Sequence, residues 1–155
     1  MAKRSAGILL YRMREGVPEV LLVHPGGPFW KNKDLGAWSI PKGEYAEDEA
    51  PLSAALREFE EETGMRLAAD STIDLGEVRQ KSGKVVTAWA VPGEFEVSSL
   101  RSNLVELAWP PRSGRTQSFP EVDRAEWFDP VTARGKIVAA QAEFLSRLLG
   151  GLGLG

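Results

Sequence analysis

A chain of 155 residues with 43% hydrophobic content is long enough for one domain with a substantial core. A net charge of −3 argues against a general nucleic-acid binder, and the absence of cysteine excludes disulfides, thiol catalysis and thiolate metal sites. The start, MAKRSAGILLYRMREG, lacks the long apolar core of a signal peptide, and no apolar run is long enough to span a bilayer, which predicts a soluble cytoplasmic protein.

Ser5 to Arg12 and Pro18 to His24 are β-rich runs separated by the polar turn Arg14-Glu15-Gly16, and they predict a hairpin or adjacent strands. The loop HPGGPFWKNKDLG follows, with two lysines and two aromatics. Ala37 to Ile40 predicts a short strand leading into Pro41-Lys42-Gly43. Pro51 suits the first turn of a helix, and Gly64 suits its end, where a left-handed residue is favoured. Ile73 to Gln80 and Val85 to Val91 form a second predicted hairpin across a Ser82-Gly83 turn. Leu104 to Trp109 and Ala125 to Phe128 are predicted strands flanking the loop PPRSGRTQSFPEVD. Asp129-Pro130 is a cap-and-first-turn signal for a helical region to about Leu149, interrupted at Gly135. Residues 1–149 read as a single domain and 150–155 as a flexible Gly-rich tail.

The densest chemistry lies in Gly43 to Met65, GEYAEDEAPLSAALREFEEETGM. Glu58, Glu61 and Glu62 stand at helical positions i, i+3 and i+4, which share one face at about 100° per residue. Leu52, Leu56, Phe59 and Thr63 form an apolar stripe on another, so the helix is expected to bury one side and present acid on the other. Like charges at this spacing repel, and a divalent cation turns that repulsion into a site; hard oxygen ligands suit Mg²⁺ or Mn²⁺.

The spacing of Gly43, Glu49, Arg57-Glu58-Phe59, Glu61-Glu62, Gly64 and Met65 resembles the box of the Nudix family without departure. Weaker likeness extends through KRSAGILLYR, WSIPKGE and FPEVDRAEWFD, although Gly43 is followed by Glu44 and not by the second glycine of one common form. The resemblance implies an α/β fold, an α/β/α sandwich with a mixed central sheet, and metal-dependent hydrolysis of a diphosphate bond in a nucleotide polyphosphate. By the same resemblance Glu58, Glu61, Glu62 and the Gly43 carbonyl are metal ligands, with Arg57 and Glu49 behind them as a hydrogen-bonded support. Glu121, in SFPEVD, is implied as a further ligand or the base, so that Glu61, Arg57 and Glu121 form the expected catalytic set. Lys42 and, more weakly, Arg4 are expected phosphate contacts.

Trp30, with Phe29, is a candidate for stacking on a base, whereas Trp38, Trp89 and Trp127 fall in predicted strands and read as core. His24, the one histidine, reads as structural, with a pocket role left open. Lys31, Lys33, Arg112 and Arg115 read as solvated charges. Small-molecule nucleotides are the expected partners, with dinucleoside polyphosphates or nucleoside triphosphates preferred. The alternatives are an RNA 5′ end, a diphosphoinositol polyphosphate, or a nucleotide-binding regulator without turnover. The last calls for eroded metal glutamates, and a diphosphate isomerase calls for a cysteine; the chain has neither feature.

Overall fold

The computed structural model describes residues 3–154. Its main sheet has β1 (Arg4–Arg14) near the centre, with order β4-β5-β1-β2-β8, where β2 is Val17–Pro25, β4 Ile73–Arg79, β5 Val85–Pro92 and β8 Val122–Phe128. Strands β1 and β5 run parallel and the other pairs are antiparallel, so the sheet is mixed. The tight turn between β1 and β2 uses positive φ at Glu15 and Gly16, the geometry that closes two-residue hairpins.

Strand β2 pairs with the C-terminal part of β1, Tyr11 to Arg14. The N-terminal part, Ser5 to Gly7, takes instead the three-residue strand β3 (Lys42–Glu44). Gly7 makes this possible: a Cβ there would come within 2.7 Å of the Lys42 Cβ and the Pro41 carbonyl. The box is thereby joined to the middle of the sheet at its first residue.

Both faces of β1 and β2 are buried, as a continuous apolar run requires. Ala6, Ile8, Leu10, Leu21 and Val23 pack beneath helix α1 (Pro51–Thr63) with Ala54, Ala55 and Phe59. Leu9, Tyr11, Val20 and Leu22 face the opposite layer, built from α2 (Pro130–Lys136) and α3 (Ala142–Gly151) with Ala133, Phe144, Leu145 and Leu148. The expected α/β/α sandwich with a mixed sheet is the observed architecture.

Several elements differ from the sequence reading. Ala37 to Ile40 forms no strand; it makes only single bridges, Ser39 to Val23 and Trp38 to Ile137, because this segment is split between two partners. The loop after Leu104–Ala108 (β6) contains a further strand, β7 (Thr116–Pro120), and the two form a separate hairpin sheet. Thr116-Gln117-Ser118 carries no apolar alternation, so its pairing has no local signal. Strand β8 begins at Val122, three residues before Ala125. Gly135 lies inside α2, which ends at Lys136, and the first two glycines of the tail are helical, continuing α3 through Gly151. Among the described residues no helix is long and apolar enough to cross a membrane.

Candidate functional site

Helix α1 starts at Pro51 and stops at Gly64, which adopts φ 85° and returns its N–H to the Glu60 carbonyl. The small residues Ala54 and Ala55 let it lie close on β1, and this closeness carries acid inward. Glu58 and Glu62 are buried with Phe59 and Thr63, while Glu61 stays 42% exposed at its side chain. The expected separation of an acidic face from a buried one therefore does not hold: two of the three glutamates lie at the edge of the buried face.

Burial is the main force pushing the Glu58 carboxyl above its ordinary range, followed by the neighbouring charge of Glu61 and, more weakly, Glu121. Glu62 is pushed well above the ordinary range, again chiefly by burial, with Glu121 and Glu58 adding repulsion and the Lys42 ammonium opposing it. Four carboxylates thus feel one another across this small region.

Arg57 holds part of the cluster. Its guanidinium donates to both carboxylate oxygens of Glu49 at 2.8 and 3.0 Å, to Glu58 at 3.0 Å and to Glu61 at 3.1 Å. These bonds, led by those to Glu49, raise its own affinity for the proton, and the same fork pulls Glu49 below the ordinary carboxylate range. Gly43 is fixed by space: any Cβ there would coincide with the Glu58 carboxylate. Lys42 extends from β3, and its backbone N–H approaches a Glu62 oxygen at 3.4 Å, the long limit of a hydrogen bond.

Glu121 joins this group through main-chain bonds. It lies at the junction of β7 and β8, with its N–H donating to the Asn103 carbonyl at 2.9 Å and its carbonyl accepting from Gly26 at 2.9 Å. Asn103 in turn donates its N–H to the Glu61 carbonyl at 2.9 Å, so a single residue ties the end of α1 to Glu121.

Two adjoining cavities result. One, of about 360 Å³, is acidic and is lined by Gly43, Glu58, Glu61 and Glu121 with Lys42, Lys84, Ser5 and Asn103. The other, of about 370 Å³, is a mainly apolar cleft lined by Val23, Trp30, Val122 and Val138, with Glu62 on one wall and the amides of Gln80 and Gln141 on another. Lys42 and Glu121 line both. The buried Gln141 accepts from the Ile40 N–H at 3.0 Å and donates to Gln80 and Ser39 at 3.1 Å, bracing the cleft floor.

The donor set, carboxylates with a backbone carbonyl close by, suits a hard divalent cation. Arg57 draws Glu58 and Glu61 toward itself, and among the described residues no three acidic or histidine side chains converge on a point unaided. A divalent ion bound here would compete with Arg57 for those oxygens.

The remaining sequence candidates separate. Trp30 lines the cleft at 44% exposure, whereas Phe29 makes an edge contact with Trp109 at 5.5 Å and anchors the loop. Arg4 pairs with Glu77 at 3.2 Å and lines neither cavity, whereas its neighbour Ser5 is among the residues around the acidic one. His24 is fully buried, bonded to Asp123 at 2.8 Å and the Lys33 carbonyl at 2.6 Å, and ties the loop before Ala37 to β8. Trp38 is core, while Trp89 and Trp127 are partly buried against the α1-side cluster. Lys31, Lys33, Arg112 and Arg115 are exposed. Ser5, Lys84, Asn103, Gln80 and Gln141 had no local signal; each reaches the site through pairing with a distant segment.

The NUDIX domain family matches residues 1–148. The Ap4A hydrolase of C. elegans, in a binary complex, has the same fold at a TM-score of 0.64 and 20% identity, covering 98% of both chains. The NUDIX domain of Shewanella oneidensis NrtR complexed with ADP ribose superposes at a TM-score of 0.66 with 16% identity, over 98% of this chain and 89% of that one. The mRNA-decapping protein g5R of African swine fever virus (isolate Warthog/Namibia/Wart80/1980) is 64% identical over 28 residues, which span 18% of this chain and only 11% of the viral protein. With the family matched over almost its whole length and the box set around an acidic cavity, the chain belongs to the Nudix family of pyrophosphohydrolases.

Proposed function

We propose that this protein hydrolyses a diphosphate bond in a nucleotide polyphosphate, a dinucleoside polyphosphate or a nucleoside triphosphate, with Mg²⁺ or Mn²⁺ as cofactor. The observation that carries this reading is that the two cavities share a wall. Lys42 and Glu121 line both an apolar cleft large enough for a base and a carboxylate-lined cavity.

In this reading Glu58, Glu61, Glu62 and the Gly43 carbonyl hold the metal, and Arg57 orients Glu58 and Glu61 between it and Glu49. Bound divalent ions neutralise the diphosphate and lower the proton affinity of water, as Nudix hydrolases generally use them to do. The chain itself contributes three things. Lys42 meets a phosphate where the cleft ends. Glu121 or Glu61 accepts the proton from the attacking water, both carboxylates facing the acidic cavity. Trp30 and the aliphatic wall of Val23 and Val122 receive a base. The Ap4A hydrolase likeness in fold agrees with a dinucleotide substrate.

The test is turnover in ¹⁸O-water across a panel of nucleotides, with products identified by mass spectrometry. The expected result is cleavage of a diphosphate link, abolished by chelator and restored by Mg²⁺ or Mn²⁺. Undiminished turnover in excess chelator overturns the reading.

A further inference from the structure

The cleft that receives a base in the reading above has one polar side chain with no task assigned to it. Lys42, Glu62 and Glu121 belong in that reading to the phosphates and the metal. The Ser39 hydroxyl is engaged, donating to the Ile40 carbonyl at 2.7 Å and accepting from Gln141 at 3.1 Å. Gln80 remains.

The main chain dictates how the Gln80 amide is turned. The Ile40 N–H can only donate, and it meets Gln141 Oε1 at 3.0 Å, which fixes the oxygen end of that fully buried amide. The Gln141 nitrogen then donates to Ser39 Oγ and to Gln80 Oε1, both at 3.1 Å. With its oxygen committed to Gln141, Gln80 has its NH₂ group left over. That nitrogen meets no acceptor among the described residues. It is not sealed in either, since the one buried side-chain polar atom without a partner is Ser5 Oγ.

The strand sets the direction of the side chain. The Gln80 N–H extends the β4–β5 ladder by donating to the Lys84 carbonyl at 2.8 Å. Val78, two residues earlier, packs on the core beneath α3, and residues two apart along a strand share a face. Gln80 thus lies on the same face as Gln141, and both line the cleft.

An NH₂ donor held in one orientation discriminates between bases. A carbonyl accepts from it, whereas an exocyclic amino group sets donor against donor and leaves both unpaired. We propose that Gln80 reads the base, and that the cleft, at about 370 Å³ roomy enough for a purine, favours a 6-oxopurine over a 6-aminopurine. This rests on the nucleotide reading above and names the class of base it takes.

Inosine and adenosine nucleotides isolate the 6-position, differing there and in the N1 proton that accompanies it. Calorimetric titration of IMP and AMP in Mg²⁺ needs no turnover, and kcat/KM for ITP and ATP measures the same preference in the reaction. Wild-type protein should favour the inosine nucleotide about tenfold in both, the scale of one hydrogen bond made or lost. Gln80→Glu keeps an oxygen for Gln141 and places an acceptor where the donor was. Its added charge acts on both nucleotides alike, so the ratio should reverse in favour of adenosine. Equal binding of IMP and AMP by the wild type, or binding of neither, overturns the proposal. So does an unchanged ratio in Gln80→Glu, which leaves Gln80 as a brace for the cleft floor. A wild type that prefers IMP but hydrolyses neither triphosphate upholds the base reading and overturns the hydrolase reading.

Discussion

Arg57→Ala is the most demanding test of the site, because one guanidinium serves three carboxylates. Its pair with Glu61 is half exposed on both sides and contributes about 0.3–0.5 kcal/mol. The fork to Glu49 is bidentate and adds to this. The bond to Glu58 matters most, since that side chain is 10% exposed and loses the guanidinium that donates to it. A hydrogen bond to a buried charge is worth about 1.5–3 kcal/mol. The lower end applies here, because Arg57 is itself 40% exposed and Glu58 can escape by taking up a proton.

The total is about 2–3 kcal/mol, or a melting temperature lowered by roughly 5–10 °C for a chain of this size in the absence of metal. Saturating Mg²⁺ should shrink that deficit, since the cation neutralises the same carboxylates. Turnover should fall about ten- to a hundredfold, the usual effect of removing a group that orients metal ligands. Thermal melts with and without Mg²⁺, beside steady-state kinetics, measure all three. A metal-free melt shifted by less than about 1 °C with turnover intact refutes the reasoning and makes Arg57 an ordinary surface cation.

Glu61→Gln, which keeps shape and removes one charge, is expected to cost about a hundredfold in kcat with the melting temperature unchanged or slightly raised; a fully active variant makes Glu61 a solvated acid. Trp30→Ala should weaken dinucleotide binding by about 1–3 kcal/mol, the worth of one stacked base, and affect inorganic pyrophosphate far less; equal losses assign Trp30 to loop anchoring. The folded-state proton affinity of Glu62 is raised, chiefly by burial, so the stability it contributes is complete below the ordinary unfolded carboxyl value and is lost as pH rises through the folded one. Metal-free protein should therefore lose this stability between acid and neutral pH, and Glu62→Gln should flatten that loss in melts across the range; an unaltered slope counts against a buried, protonated Glu62.

The parts of the fold that were legible in the sequence are those written in local chemistry. Pro51 and Gly64 bound α1, and Glu15-Gly16 marks the β1–β2 turn, because each fixes a dihedral angle that few other residues adopt. The box glutamates were legible for a related reason, since their spacing carries the pattern. Their burial was not, because it depends on how near Ala54 and Ala55 let the helix approach β1. The strand Thr116–Pro120 and the contributions of Ser5, Asn103 and Gln141 depend on segments that meet only after folding: Gln141 bonds to Ile40 across 101 positions of chain. Arg4 is held by Glu77, 3.2 Å away on the distant strand β4, a partner that nothing in its own segment signals.

The main-chain link through Asn103 has a consequence for how this protein can change. Asn103 and Glu121 are bonded to each other across the base of the β6–β7 hairpin, and the Ser102 hydroxyl accepts the Val122 N–H at 3.0 Å beside them. The hairpin is thus closed off at its root, like a handle riveted at both ends of its grip. Residues 104–120 can lengthen, shorten or change character without moving Glu121 relative to Glu61. The hairpin packs on the loop that carries Trp30, with Trp109 against Phe29 and Leu107 beside Gly27, so exchanging it would act on that one wall of the cleft while the carboxylate arrangement stays fixed.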